Sequence, residues 1–287
     1  MIPATCQPPH RTIRPPKRRA PAQSCDTHFH IIGPVDEFSL SSTRSYTPCE
    51  ASLDGYRRVQ QTIGTERLVI VQASVYGTDN ACMLDALARF GHERGRGVVV
   101  IDADVPDTTL ERMHALGVRG ARFNMVTLGG PPLQQMIDVA ERIAPLGWHI
   151  QLYAHGEQLA SLLPVLDRLP VEIVLDHLGG LKPDWPADHP GRASVHSLLS
   201  GGRAWIKLCV YRSSEIAYPF DDVRSIVVDL VNRFPDRCLW GTDWPHPAFD
   251  GDMPHDGQLL DAMMTWAPSA TLQQAILVEN PARLYGF

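Results

Sequence analysis

The stretch CDTHFHIIGP, residues 25–34, sets Asp26, His28 and His30 on alternate positions and then stops at Gly33-Pro34. Alternation is the period of a β-strand, so the three side chains are expected on one face. A strand that ends in two imidazoles suits a parallel α/β protein, where the C-terminal strand ends carry the chemistry. The same device should then recur at the ends of later strands.

Seven further short apolar runs read as strands, at 67–74, 96–102, 118–124, 148–155, 171–177, 204–210 and 237–243, with the first at 24–30. The segments between them repeat apolar residues at three- and four-residue spacing, as in LDGYRRVQQTIG (53–64) and DDVRSIVVDLVNRF (221–234). The connection from the sixth strand to the seventh is an exception: KPDWPADHPGRAS reads as loop, and only VHSLLSGG reads as a short helix. Eight strands with crossovers is the count of an α/β (β/α)8 TIM barrel. Continuous runs such as LVIVQ and VEIVL suit strands buried on both faces. An open doubly wound sheet would carry a glycine-rich phosphate turn, and no G-x-G-x-x-G or G-x-x-x-x-G-K-[ST] occurs. The tail 271–287 reads as a closing helix and a terminal segment packed on the barrel.

Residues 24–287 therefore read as one domain, preceded by an arm at 1–23 that holds five basic residues, no acids and repeated prolines. The arm lacks the apolar stretch of a signal peptide and reads as extended or mobile, or as an arm laid across a neighbouring subunit. Its removal changes the formal net charge from −6 to −11. That acidity argues against a nucleic-acid partner, and no apolar run is long enough to span a membrane. The six cysteines form no C-x-x-C pair, so a reduced, cytoplasmic setting is expected.

The expected strand ends hold His28 and His30; Gln72, Ser74 and Tyr76; Arg122 and Asn124; Tyr153 and His155; Asp176 and His177; Lys207, with Tyr211 and Arg212; and Asp243, with His246. A lone histidine is more often a satisfied buried side chain than a ligand. Histidines at matching ends of the first and sixth strands, with an aspartate on the eighth, favour one shared site. His28, His30, His177 and Asp243 can converge on a metal or on a polarised carbonyl. Lys207 reads either as a partner of buried Asp176 or as a substrate contact, and Asp26 as a residue that orients the first-strand histidines.

DTHFHIIGP, VQASVYGTDN, GVRGARFNM, LDHLGG, GTDWPHP and ENPARLYGF together resemble the amidohydrolase-2 branch of the amidohydrolase superfamily. Within it the likeness is to the 2-pyrone-4,6-dicarboxylate hydrolases and related sugar-lactone hydrolases, over about residues 24–287. The resemblance implies a (β/α)8 barrel that hydrolyses a carboxylated lactone in the breakdown of aromatic or sugar acids. It implies Asp243 as the base for the attacking water, with His28, His30 and His177 around the scissile carbonyl or a metal. It implies Tyr46, Ser74, Tyr76, Arg119, Arg122, Tyr153, His155, Arg212 and His246 as substrate contacts. Tyr76 and His155 depart from the family pattern, where histidine and glutamate stand.

His28, His30, His177 and Asp243 permit one divalent ion, zinc by preference, but do not require it; most of the superfamily binds a metal, and the pyrone-dicarboxylate hydrolases work without one. Guanidinium forks bind carboxylates, so arginines at the mouth of an acidic body point to an anionic substrate, which the resemblance implies is a small cyclic ester. Homo-oligomerisation stays open. The competing functions are a metal-dependent decarboxylase of the aminocarboxymuconate-semialdehyde type, a lactone isomerase and a ligand-binding barrel without turnover. Intact Asp243 favours hydrolysis over isomerisation.

Overall fold

The computed structural model describes residues 3–127 and 132–287. Eight parallel strands pair in sequence order: β1 Cys25–Phe29, β2 Arg67–Val71, β3 Gly95–Val99, β4 Val118–Asn124, β5 His149–Tyr153, β6 Ile173–Leu175, β7 Ala204–Lys207 and β8 Cys238–Leu239. The ring closes because the chain beyond β8 bonds back to β1. Thr27 N donates to Trp240 O (3.0 Å), Asp243 N to His28 O (2.7 Å) and His30 N to Trp244 O (2.7 Å). The fold is the expected (β/α)8 barrel.

The strands alternate between two apolar environments. Leu68 and Ile70 of β2 pack outward against the helices, while Val69 and Val71 join Cys25, Val98, Val174, Trp205 and Leu239 inside the barrel. Among the described residues eight helices take the crossover positions: α1 Leu53–Ile63, α2 Ala81–Phe90, α3 Asp107–Ala115, α4 Met136–Ile143, α5 Gly156–Leu166, α6 Pro190–Ser200, α7 Arg224–Arg233 and α8 Asp256–Trp266. In α1, Leu53, Tyr56, Val59 and Ile63 are buried at helical spacing, Ser52 Oγ accepts from Gly55 N (3.2 Å), and Gly64 at φ 92° ends the helix. Burial of each such side chain contributes about 1.5–3 kcal/mol. The tail forms α9 Ala270–Gln274, a π turn and α10 Asn280–Tyr285. Leu284 and Tyr285 plug the barrel from below.

The outlying strand residues shorten to loop at both ends, and α6 is longer than the expected VHSLLSGG. It starts at Pro190, where a missing N–H costs nothing and φ is already helical, with His189 Nδ1 accepting from Gly191 N (3.1 Å).

The arm has no helix or strand in its described part and runs along its own barrel. Lys17 N donates to Asp261 Oδ1 (2.8 Å), and Ala20 N to Ile63 O (2.9 Å). Near its start, Thr5 forms a parallel bridge with Thr47 at the barrel mouth. Met1 and Ile2 lie outside the described residues.

Candidate active site

β1 does not keep a simple alternation. Its register against β2 shifts by one residue between Asp26, opposite Leu68, and Phe29, opposite Ile70. Both partners face outward, so Asp26 and Phe29 face outward too, and the extra residue of this bulge leaves His28 and His30 inside. The expectation that Asp26 shares the histidines' face is thus corrected. Asp26 accepts from Thr242 N (3.0 Å), Thr242 Oγ1 (2.7 Å), Tyr56 Oη (2.9 Å) and His28 N (3.1 Å). It braces the bulge against α1 and the end of β8. Burial raises its carboxyl to about 6 despite these donors.

Inside the barrel the three imidazoles and Asp243 meet. The His28 ring centroid lies 5.1 Å from that of His30 and 4.9 Å from that of His177. Asp243 Oδ1 lies 3.1 Å from His30 Nε2 and 3.5 Å from His28 Nε2. Its other oxygen, Oδ2, accepts from Tyr211 Oη (2.6 Å) and Arg212 Nε (2.5 Å). Asp243 has φ 60° and His177 φ 48°, left-handed values that cost strain for non-glycine residues. The bond from Asp243 N to His28 O and that from His246 N to Asp243 O (2.7 Å) hold Asp243 in place.

Burial alone would raise the Asp243 carboxyl, but the Arg212 guanidinium outweighs it and holds it well below the usual carboxylate range. Burial drives His177 down to about 3 and His28 well below its ordinary value, so both are neutral near pH 7. Below them lies a second ionic layer. Asp176 Oδ1 is 3.2 Å from His28 Nδ1 and 3.6 Å from Lys207 Nζ, and Asp176 Oδ2 is 3.4 Å from Arg122 Nε. Gln151 bridges the pair, accepting from Lys207 Nζ (2.7 Å) and donating to Asp176 Oδ2 (3.0 Å). Lys207 is therefore a partner of Asp176.

Above this floor opens a cavity of about 240 Å³, lined by His30, His177, Asp243, Arg122, Arg212 and Tyr153, with Tyr46, Ser74, Asn124, Thr127, Pro247 and Ala248. A cleft of similar size, about 260 Å³, lies between the arm and α1 but holds none of the strand-end histidines. Two guanidiniums and one carboxylate face the cavity, so it favours an anion. Arg122 Nη1 donates to Gln72 O (3.2 Å) and Arg212 Nη2 to Pro247 O (2.8 Å), which fixes both forks.

Four expected contacts lie elsewhere. Arg119 is the extra residue where the register of β4 against β3 shifts, between Val118, opposite Gly97, and Gly120, opposite Val98; its Nη1 donates to His114 O (3.0 Å) and Val118 O (2.7 Å) at the far end of β4. His155 is exposed and caps α5, with its N–H donating to Gln158 Oε1 (3.1 Å). Tyr76 turns its hydroxyl to accept from Gly33 N (3.0 Å). His246 packs edge-on against Tyr211, with Nε2 3.3 Å from Asp256 Oδ1, behind the site. Sequence reasoning left out Gln151 and Thr127, and placed Asn124 and Tyr211 at strand ends without giving them a role. Gln151 carried a signal: a polar residue two positions before Tyr153, on the same face of an apolar strand.

The residues fit a divalent ion in type and number. Two imidazoles and a carboxylate with ligand atoms within 4.8 Å of one another, His28, His30 and Asp243, match a three-ligand catalytic centre with an open position. His30 Nδ1 donates to Val71 O (2.8 Å), which turns Nε2 toward Asp243, and His28 Nε2 is buried with no hydrogen-bond partner. His28, Asp176 and His177 form a second set of the same reach.

No helix among the described residues is long and apolar enough to cross a membrane. The family described as Amidohydrolase matches residues 25–287. A 2-pyrone-4,6-dicarboxylate hydrolase of Comamonas testosteroni is 36% identical over 282 residues, covering 94% of this chain and 92% of that protein. A 4-sulfomuconolactone hydrolase of Hydrogenophaga intermedia is 34% identical over 287 residues, covering 98% and 94%. A crystal structure from Agrobacterium tumefaciens superposes with a TM-score of 0.85 at 29% identity, covering 95% of this chain and 98% of that one. With matched residues spanning every strand and all four groups of the floor, this chain belongs to the amidohydrolase family.

Proposed function

We propose that this chain is a hydrolase that opens a lactone bearing a carboxylate or a comparable anionic group, by attack of water on the ring carbonyl. The observation that carries the reading is the held carboxylate of Asp243. Tyr211 and Arg212 occupy Oδ2, and Oδ1 is left beside His30 at the floor of a cavity with Arg122 on its wall. Oδ1 is the atom that accepts the proton of the attacking water. A carboxylate with so low a pKa is a weak base for free water, so proton transfer must accompany attack on an activated ester. His177, neutral and with Nδ1 unpartnered, faces the same cavity and can donate to the developing oxyanion from whichever nitrogen carries its proton. Arg122 and Arg212 hold the anionic substituent and orient the ring. A divalent ion held by His28, His30 and Asp243 would supply Lewis acidity at the carbonyl oxygen.

The two named relatives support the substrate class, since one name carries a dicarboxylate lactone and the other a sulfonated one. The test is a panel of carboxylated and sulfonated lactones, pyrones and sugar lactones, assayed with and without chelator and with Asp243→Asn. Ring opening that disappears in the variant supports the reading. Release of CO₂ from a muconate-type acid, or isomerisation without uptake of water, would replace it.

A further inference from the structure

We propose that the start of the N-terminal arm, residues 3–10, is a strap that ties two walls of the cavity together and so positions its substrate-binding groups. The proposal rests on the reading of the cavity as the active site. Thr47 N donates to Ala4 O (2.9 Å), Cys6 N to Thr47 O (2.8 Å), and Thr47 Oγ1 to Pro3 O (3.0 Å). Cys49 Sγ donates to Cys6 O (3.3 Å). These contacts fix the loop after β1 immediately beside Tyr46, whose side chain lines the cavity and whose hydroxyl accepts from Ser74 Oγ (3.4 Å). On its other side the same residue reaches the loop after β8: Ala248 N donates to Cys6 Sγ (3.2 Å). Ala248 lines the cavity, and its neighbour Pro247 carries the carbonyl that holds Arg212. Cys6 therefore touches both loops, and those loops carry the wall residues Tyr46, Pro247 and Ala248 and the anchor of a guanidinium.

The rest of the arm keeps the strap in place. The His10 and His255 rings stack at 3.7 Å, His10 Nε2 donates to Met253 O (2.8 Å), and Arg14–Pro16 lie tight on Gly257 of α8. A Cβ at Gly257 would collide with Arg14 O and lie 2.8 Å from Pro16 N. Backbone cannot yield there without moving the arm. Loops held on one side only are free to sample other positions, and an ångström of misplacement is enough to weaken substrate positioning.

The test uses the full chain with Gly257→Ala, which improves helix propensity while wedging the arm away. Cys6→Pro, which removes the N–H bonded to Thr47 O, is the second variant, in case the first fails to fold. Arm release is read by the rate of trypsin cleavage after Arg11, Lys17, Arg18 and Arg19. Wall mobility is read by hydrogen exchange at the Thr47 and Ala248 amides, which needs no substrate. The expected result is faster arm cleavage, exchange at both amides faster by about tenfold or more, and KM for the hydrolysed lactone raised roughly tenfold with kcat within about twofold. Unchanged cleavage in both variants means the arm is not docked as described and overturns the strap. So does fast cleavage with unchanged exchange or unchanged KM. A wild-type chain that opens no lactone defeats the proposed function instead, and the exchange result still decides the strap.

Discussion

Asp243 shows how one side chain can be both ionised and held back. Burial opposes its charge, Arg212 restores it, and Tyr211 with Arg212 commits one of its two oxygens. Asp243→Asn keeps the shape but gives up the proposed proton acceptor, so kcat should fall by about 10²–10⁴ while the fold persists. Steady-state kinetics together with circular dichroism check this; a variant with wild-type kcat removes Asp243 from the chemistry. Arg122 should behave differently, because on the proposed reading its place on the cavity wall sets it against the substrate's anionic group rather than the reacting bond. Arg122→Met loses a charged hydrogen bond of about 1.5–3 kcal/mol, equivalent to a KM increase of roughly 10- to 100-fold. A neutral lactone of the same ring size should show little of that penalty, and equal losses on both substrates would contradict the assignment. Lys207→Met would leave Asp176 with one cation fewer in a layer fully removed from water, and should cost about 3–5 kcal/mol in denaturant unfolding.

At the scale of elements, period and parity explain both what the sequence disclosed and what it concealed. Eight apolar runs with polar C-terminal ends were enough for the barrel, because strands buried on both faces have few other homes. His28, His30, His177 and Asp243 were legible for the same reason: each stands at such an end. The β1 bulge was not legible, since an inserted residue changes faces without changing composition, and Asp26 was misplaced by it. Arg119 was hidden in the same way, by a register shift at the start of β4. Alternation does not fix its face there: Val118 and Arg122 stand four apart and yet pack on opposite faces. The start of α6 was missed because Pro190-Gly191 was read as a break, whereas proline at a helix's first position is favourable. The bonds of Arg119 at the far end of β4 make a sharp prediction: Arg119→Ala should leave kcat and KM within about twofold and cost about 1 kcal/mol from the lost bonds to the His114 and Val118 carbonyls. A tenfold rise in KM would mean that Arg119 reaches the substrate after all.

For the molecule as a whole, the barrel interior sets a pH limit on the fold. His28, His149 and His177 are buried in neutral form; burial holds His149 and His177 at about 3. In the unfolded chain such groups take up protons near pH 6.5, so below that pH the unfolded state binds more protons and stability falls with pH. Asp26 works against this: its raised carboxyl, at about 6, takes up a proton in the folded state first and returns some stability between pH 6 and 4. The depressed Asp176 and Asp243 add their own loss only below the usual carboxylate range, near ~4. His149 isolates the histidine effect, because it sits below the site, beside Gly120 and Tyr285, and neither ring nitrogen has a hydrogen-bond partner. His149→Leu keeps a similar volume and removes the proton, so the variant should escape a loss of about 2 kcal/mol between pH 6.5 and 5. Thermal unfolding of both proteins at pH 7 and pH 5 reads this directly. The drop in Tm should be smaller in the variant by roughly 5 °C, and equal drops would show that His149 does not resist protonation in the folded barrel.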